Sequence, residues 1–208
     1  MRLRDLKARS VGRLKGISYD GGGLILAQGG HGKVRFGIHT QHVIDHLRNV
    51  GLVVCAGAAG GLSSALSVGD VVVVTGTVEH DYRERFVSRP LPHFEGHEPS
   101  RAALQDAALS LEGANKLHFG LVASGDEDIV EPGRADELHQ STGALAVAWE
   151  GAGGAKACEF SNVPFLEVRG ITDLSNDGSL ANLRMNLPSA MTNVAIVLGK
   201  LTQIMPGL

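Results

Sequence analysis

The sequence predicts a single α/β domain, residues 1–208, in which helices cover both faces of a central mixed, largely parallel sheet. Three observations carry that prediction. Helix-compatible stretches alternate with short apolar, β-branched runs such as LVVCA at 52–56, VVVV at 71–74 and FLEVRGI at 165–171, the pattern of buried strands joined by crossover helices. Several of these runs close on glycine-rich or acidic turns, as at Gly57–Gly61 and Thr172–Asp173. A length of 208 residues supports one sizeable core and is short for two.

Composition narrows the functional classes. Apolar residues make up 43% and charged residues 20% of the chain, and the formal net charge is −3 with the signs interspersed. Such a surface offers no basic field for nucleic acid or for a membrane. The amino-terminal text MRLRDLKARSVGRLKG has charge but no apolar signal core, and no apolar run approaches the roughly 20 residues that span a bilayer. Cys55 and Cys158 have no metal-ligand spacing around them and read as reduced, buried thiols, which fits a cytoplasmic protein. Nine histidines form neither H-E-x-x-H nor a paired Cys/His cluster, so neither a metal nor another cofactor is expected.

Taken in order, Gly12 to Gly29 holds two short extended runs around Asp20-Gly21-Gly22-Gly23, a hairpin signal. The second run leads into Gly29-Gly30-His31-Gly32-Lys33, where backbone can approach a ligand closely at a helix amino end. Residues 34–49 read as an amphipathic helix and 52–56 as the next buried strand. Gly57-Ala58-Ala59-Gly60-Gly61-Leu62 comes next as a second small-residue turn, then the strand of Val68 to Val74, with Glu79-His80-Asp81 closing it. Residues 83–99, with three prolines and two phenylalanines, read as an irregular segment long enough to serve a function. A helix is expected over 100–112 and a strand over 117–124, which leads into Gly125 to Val130.

The most informative stretch is 145–176. LAVAW reads as a strand that hands Glu150 to the start of a small-residue helix over 151–160. Pro164 ends that helix, and the strand of 165–171 delivers Thr172 and Asp173 at its carboxyl end, where ligands bind in α/β sheets. The plainer reading has Asp173 capping the segment after it and Glu150 sitting in a solvated first turn. A carboxyl-terminal helix over 190–204 completes the chain.

Several of these segments, in this order, resemble the nucleoside phosphorylase and nucleosidase superfamily, particularly the 5′-methylthioadenosine/S-adenosylhomocysteine nucleosidases. The matching residues are Gly57 to Leu62, Gly69-Asp70, His80-Asp81, Ser124-Gly125-Asp126, Trp149-Glu150, Val163-Pro164-Phe165 and Thr172-Asp173, so the resemblance covers about residues 12–200. It implies a nucleoside phosphorylase-like three-layer αβα fold, cleavage of the N-ribosidic bond of a purine-type nucleoside, and a homodimer. It also implies roles. Asp173 would protonate the departing base, since burial keeps a carboxyl proton available near neutral pH. Glu150 would accept from the ribose hydroxyls, Trp149 would wall the sugar, and Ala58, Ala59 and Gly60 would pass beneath the ligand. Thr172 adjoins the acid, His31 lies beside the ribose, and Ile129 offers its backbone to the base. Asp128 stands where the family has an aromatic ring stacked on the purine. Phosphorylases of the superfamily grip phosphate at places held here by Cys55 and Ala58, so water is the expected acceptor. The family's first strand, with a glutamate that activates water, has no counterpart in this sequence. A nucleoside-binding protein with degenerate catalysis, and behind it a phosphorylase, are therefore the alternatives to a nucleosidase.

Overall fold

The computed structural model describes residues 6–19, 23–108, 116–176 and 178–206. The turn expected at Asp20 to Gly22, the tail of the helix expected to reach 112, and Asp177 lie outside the described residues.

The chain opens with a small antiparallel sheet of β1 (Leu6–Val11), β2 (Leu14–Tyr19) and β3 (Leu24–Ala27). The predicted hairpin is β2–β3, with Tyr19 opposite Leu24. β1 was not predicted, because LKARSV reads as charged text; pairing with β2 along its whole length makes it a strand. Then come α1 (Lys33–His46), β4 (Val53–Gly61), β5 (Val71–Glu79), β6 (His93–Glu95), α2 (Glu98–Ala107), β7 (Leu117–Ser124), α3 (Pro132–Thr142), β8 (Ala146–Ala148), α4 (Gly151–Phe160), β9 (Phe165–Asp173) and α5 (Ser179–Ile204).

The second sheet is mixed, in the order β6-β5-β7-β8-β4-β9, and its long pairings, β4 with β9 and β5 with β7, are parallel. It also closes on itself. β9 pairs with β4 along one edge and antiparallel with β5 along the other, Val71 opposite Gly170 and Val73 opposite Val168. With both edges engaged, every residue of β9 is buried, as an interior strand with no water for its backbone should be. Ala59, Val72, Val74, Val122, Ala146 and Ile171, drawn from the five strands of the closed circuit, form one apolar cluster inside it.

Helices cover the outside. α5 sets Val194, Val197 and Leu201 against Val71, Val73, Leu166 and Val168. α4 brings Ala155 and Cys158 to Cys55 and Phe165, with Phe36 of α1 alongside. α3, which was not predicted, is bracketed by Pro132 in its first turn and by Gly143 at φ 69°, and buries Ala135 and Leu138. Its bracketing is the usual amino-terminal proline and carboxyl-terminal glycine.

Three elements differ in extent from the sequence reading. The small-residue run from Gly57 to Gly61 continues β4 as strand, with a bulge between Ala59 and Gly60, because parallel partners on β9 hold it extended. Short β6 interrupts the segment read as irregular. α5 begins at Ser179 and passes through Pro188. No helix among the described residues is long and apolar enough to cross a membrane.

Candidate active site

A cavity of about 690 Å³ opens where β4 and β9 end together, Gly60 opposite Asp173. Its wall contains both expected catalytic carboxylates, Glu150 and Asp173. Ala58, Ala59 and Gly60 of β4 line it, as do Thr172 of β9 and Trp149 just past β8. Asp128, Ile129 and His31 come to the same wall from the loop after β7 and from the turn before α1. All ten expected site residues thus surround one space, although they lie up to 142 positions apart in sequence (31 to 173).

Asp173 is buried and its oxygens are already oriented. Oδ2 accepts from the Thr172 hydroxyl at 2.9 Å and Oδ1 from the Ser175 backbone N–H at 3.0 Å. The second bond closes a local turn, and Gly178 rather than Asp173 precedes the next helix as its cap. Ser175 is held at φ 51°, an uncommon conformation for a residue with a Cβ. Its hydroxyl is buried and has no partner among the described residues. Gly60 must be small here, since a Cβ would sit 2.4 Å from that hydroxyl oxygen and 3.1 Å from Asp173 Oδ1.

Glu150 stands at the amino end of α4 without its side chain capping the helix. Its carboxylate turns to Arg169 instead: Nη1 donates to Oε2 at 3.0 Å, while Oε1 lies 3.6 Å from His31 Nδ1. The backbone beneath is pinned by Ser124, whose hydroxyl donates to the Trp149 carbonyl and accepts from the Ala152 N–H, each at 3.0 Å. Trp149 donates from Nε1 to the Glu127 carbonyl at 3.0 Å, and the exposed His31 ring lies over its ring at a centroid separation of 4.2 Å. His31 thus sits between the Trp149 ring and the Glu150 carboxylate, in reach of both.

Arg169 and Glu167 were passed over in the sequence, because both fall inside a run read as a buried apolar strand. Arg169 is 2% exposed and lines the cavity floor. It donates to Glu150, to the Ala58 carbonyl at 3.2 Å and to Glu167 Oε1 at 2.6 Å, with Cys55 Sγ at 3.2 Å. A charge so buried is tolerable only when paired and hydrogen-bonded. The signal that could have found the pair is two opposite charges spaced i, i+2 in an otherwise apolar strand, which places them on one face. Burial pushes the Cys55 thiol up well beyond its ordinary range and Cys158 up to about 12, so both stay neutral thiols.

A polar strap fixes the rim. The Lys33 ammonium bridges Glu79 at 2.9 Å and Asp81, its backbone N–H donates to Asp126 Oδ1 at 2.8 Å, and Lys156 reaches Glu79 at 2.6 Å. These bonds tie the start of α1 to the end of β5 and to the loop bearing Asp128 and Ile129. Asp126 also puts a carboxylate at a helix amino end, where the dipole favours it.

Comparison with known proteins bears on the family and the fold. A family model described as the phosphorylase superfamily matches residues 6–203. The chain is 31% identical over 180 residues to a 5′-methylthioadenosine/S-adenosylhomocysteine nucleosidase of an Exiguobacterium species, covering 83% of this chain and 76% of that one. Its fold is similar to the crystal structure of the nucleosidase of that name from Neisseria meningitidis in complex with methylthio-immucillin-A, with a TM-score of 0.86, 28% identity, and 97% and 91% of the two chains covered. The corresponding Colwellia psychrerythraea enzyme in complex with adenine gives a TM-score of 0.87 at 26% identity, over 98% and 88%.

Proposed function

This chain belongs to the phosphorylase superfamily, and on that premise we propose that its cavity hydrolyses the N-ribosidic bond of a purine-type nucleoside. The observation that carries the reading is the meeting of Glu150 and Asp173 in one cavity wall, with different surroundings suited to different tasks. Breaking this bond builds positive charge on the ribosyl ring and negative charge on the base. Asp173, braced by Thr172 and by the Ser175 N–H, supplies a proton to the base as it leaves. Glu150 keeps Oε1 clear of Arg169, so it can accept from ribose hydroxyls and face the cationic ring. Trp149 and His31 hold the flat face of the sugar, Ala58, Ala59 and Gly60 let the ligand lie close to β4, and the Ile129 backbone reads the base edge.

Water is the acceptor in this reading. Ala58 and Cys55 cannot grip a phosphate dianion, and the guanidinium of Arg169 is committed to two carboxylates. In this reading His31, whose Nδ1 lies 3.6 Å from Glu150 Oε1, orients that water. The relatives' names make methylthioadenosine and S-adenosylhomocysteine the first substrates to try.

The test is base release from these two nucleosides and from adenosine and inosine, with and without phosphate. Release that does not depend on phosphate is expected; release only with phosphate would make the protein a phosphorylase, and ligand binding without release would leave it a binding protein. Asp173→Asn is expected to lower turnover by about 100-fold to 10,000-fold while ligand binding is retained; unchanged turnover would remove Asp173 from the mechanism.

The protein is further read as a cytoplasmic homodimer. Val34 and Ile38, 72% and 63% exposed, lie one turn apart on α1 beside the cavity rim and form an apolar face suited to a second copy. Sedimentation of wild type and of Val34→Glu, Ile38→Lys tests it, a dimer that becomes a monomer being the expected result.

A further inference from the structure

We infer that Glu167 is a positioning residue that keeps the sugar side of the cavity negatively charged, so that the site prefers a cationic ribosyl group to a neutral one. The inference rests on the nucleosidase reading. Glu167 is 1% exposed and, unlike Glu150, does not line the cavity. Both of its oxygens are engaged: Oε1 accepts from Arg169 Nε and Oε2 from the Thr77 hydroxyl, each at 2.6 Å. Its place is specifically accommodated, since a Cβ on Gly151 would sit 2.3 Å from Glu167 Oε2. Glu167 and Arg169 share one face of β9, while Leu166 and Val168, before and between them, join the apolar cluster beneath α5.

The consequence is electrostatic. Arg169 sits between two carboxylates, Glu167 on one side and Glu150 on the other. Arginine stays protonated under all ordinary conditions, so with Glu150 alone the guanidinium would cancel the carboxylate that faces the ligand. With Glu167 present, the three groups carry one net negative charge, and the member that borders the cavity with an oxygen clear of Arg169 is Glu150. In a site shielded from water such a charge acts on the developing ribosyl cation far more strongly than it would in solvent. The neutral ground-state nucleoside feels it little. Arg169 can then fix the orientation of Glu150 without extinguishing its field.

The experiment compares wild type, Glu167→Gln and the double variant Glu167→Gln, Arg169→Gln. For each, the affinity for a ribose mimic with a protonated pyrrolidine ring is measured against its neutral tetrahydrofuran counterpart, together with kcat and KM for base release. Glu167→Gln is expected to weaken the cationic mimic by about 10-fold or more, to leave the neutral one within about threefold, and to lower kcat with little change in KM. The double variant removes one charge of each sign, replaces a buried ion pair by two neutral polar groups, and is expected to recover the preference for the cation. Equal weakening of both mimics in Glu167→Gln would overturn the inference, and so would a double variant without the preference. Where the single variant does not fold, the double variant still tests the inference, since loss of its cation preference overturns it. Binding reads Glu167 without turnover, so a wild type that binds with cation preference but releases no base would overturn the nucleosidase reading and leave this one standing.

Discussion

Asp128 lies in the cavity wall and is exposed there, at the place where the resemblance has an aromatic ring. A carboxylate gives a flat purine nothing to stack on, so in the proposed reading base affinity comes from the Ile129 backbone and from Asp173. Asp128→Phe is expected to tighten adenine binding by about 3-fold to 10-fold, the ordinary yield of one ring–ring contact. Calorimetry with the free base checks it, and weaker binding would mean that the Asp128 carboxylate itself holds the base. The same residue marks what could be read in advance. Glu150 and Asp173 could be singled out because each stands where a strand gives way to a turn or a helix, and because the resemblance of the surrounding stretch outweighs the capping roles that such junctions also offer a carboxylate. Arg169 and Glu167 are harder to read, because a single charge within an apolar run looks like a rim residue and only their i, i+2 spacing hints that each is the other's partner.

At the level of elements, α1 and α4 cross at contact distance because glycines face each other. A Cβ on Gly153 would lie 2.0 Å from the Lys33 carbonyl oxygen, and one on Gly37 would lie 2.9 Å from the Gly153 carbonyl oxygen. Since backbone atoms cannot yield as a side-chain tip can, Gly153→Ala is expected to cost about 1–3 kcal/mol and to loosen the Lys33 strap at the rim. Gly199→Ala on α5 meets nothing within 4 Å and should instead stabilise by about 0.5–1 kcal/mol, since alanine orders at less entropic cost in a helix. Thermal unfolding of the two variants side by side checks both signs. The strands of high β-branched content were legible, whereas β1 and the far half of β4 were not. Their residues are charged or glycine-rich, and only neighbouring strands hold them extended.

Across the whole molecule, acid should act in two stages. Burial holds the His80 imidazole below its ordinary 6.5, with neither ring nitrogen hydrogen-bonded among the described residues and Glu127 Oε2 3.7 Å away. As the pH falls through 6.5 the unfolded chain takes up a proton that the folded chain refuses, so stability declines there. Burial opposes the charge of Asp81, but Lys33 and the Asp126 N–H outweigh it and hold its carboxyl below 3.8, while Arg134 holds that of Glu127 below 4.5, so a second loss sets in as the pH falls through these values. The Tm is therefore expected to start falling as the pH drops through about 6.5, and His80→Leu should remove that first decline; an unchanged slope would place its origin elsewhere. Sheet and helices were legible at this scale, but closure of the sheet was not, because nothing local in VVVV or FLEVRGI says that they will meet. That meeting bears on how the protein is made. β9 joins edges on β4 and β5 and also carries Arg169, Thr172 and Asp173. Translation needs about 5–20 s for the roughly 90 residues between the end of β5 and the end of β9. Until β9 is complete, the edges of β4 and β5 that it joins stay unpaired and the pocket lacks three of its residues, so sealing the sheet and completing the pocket are one event.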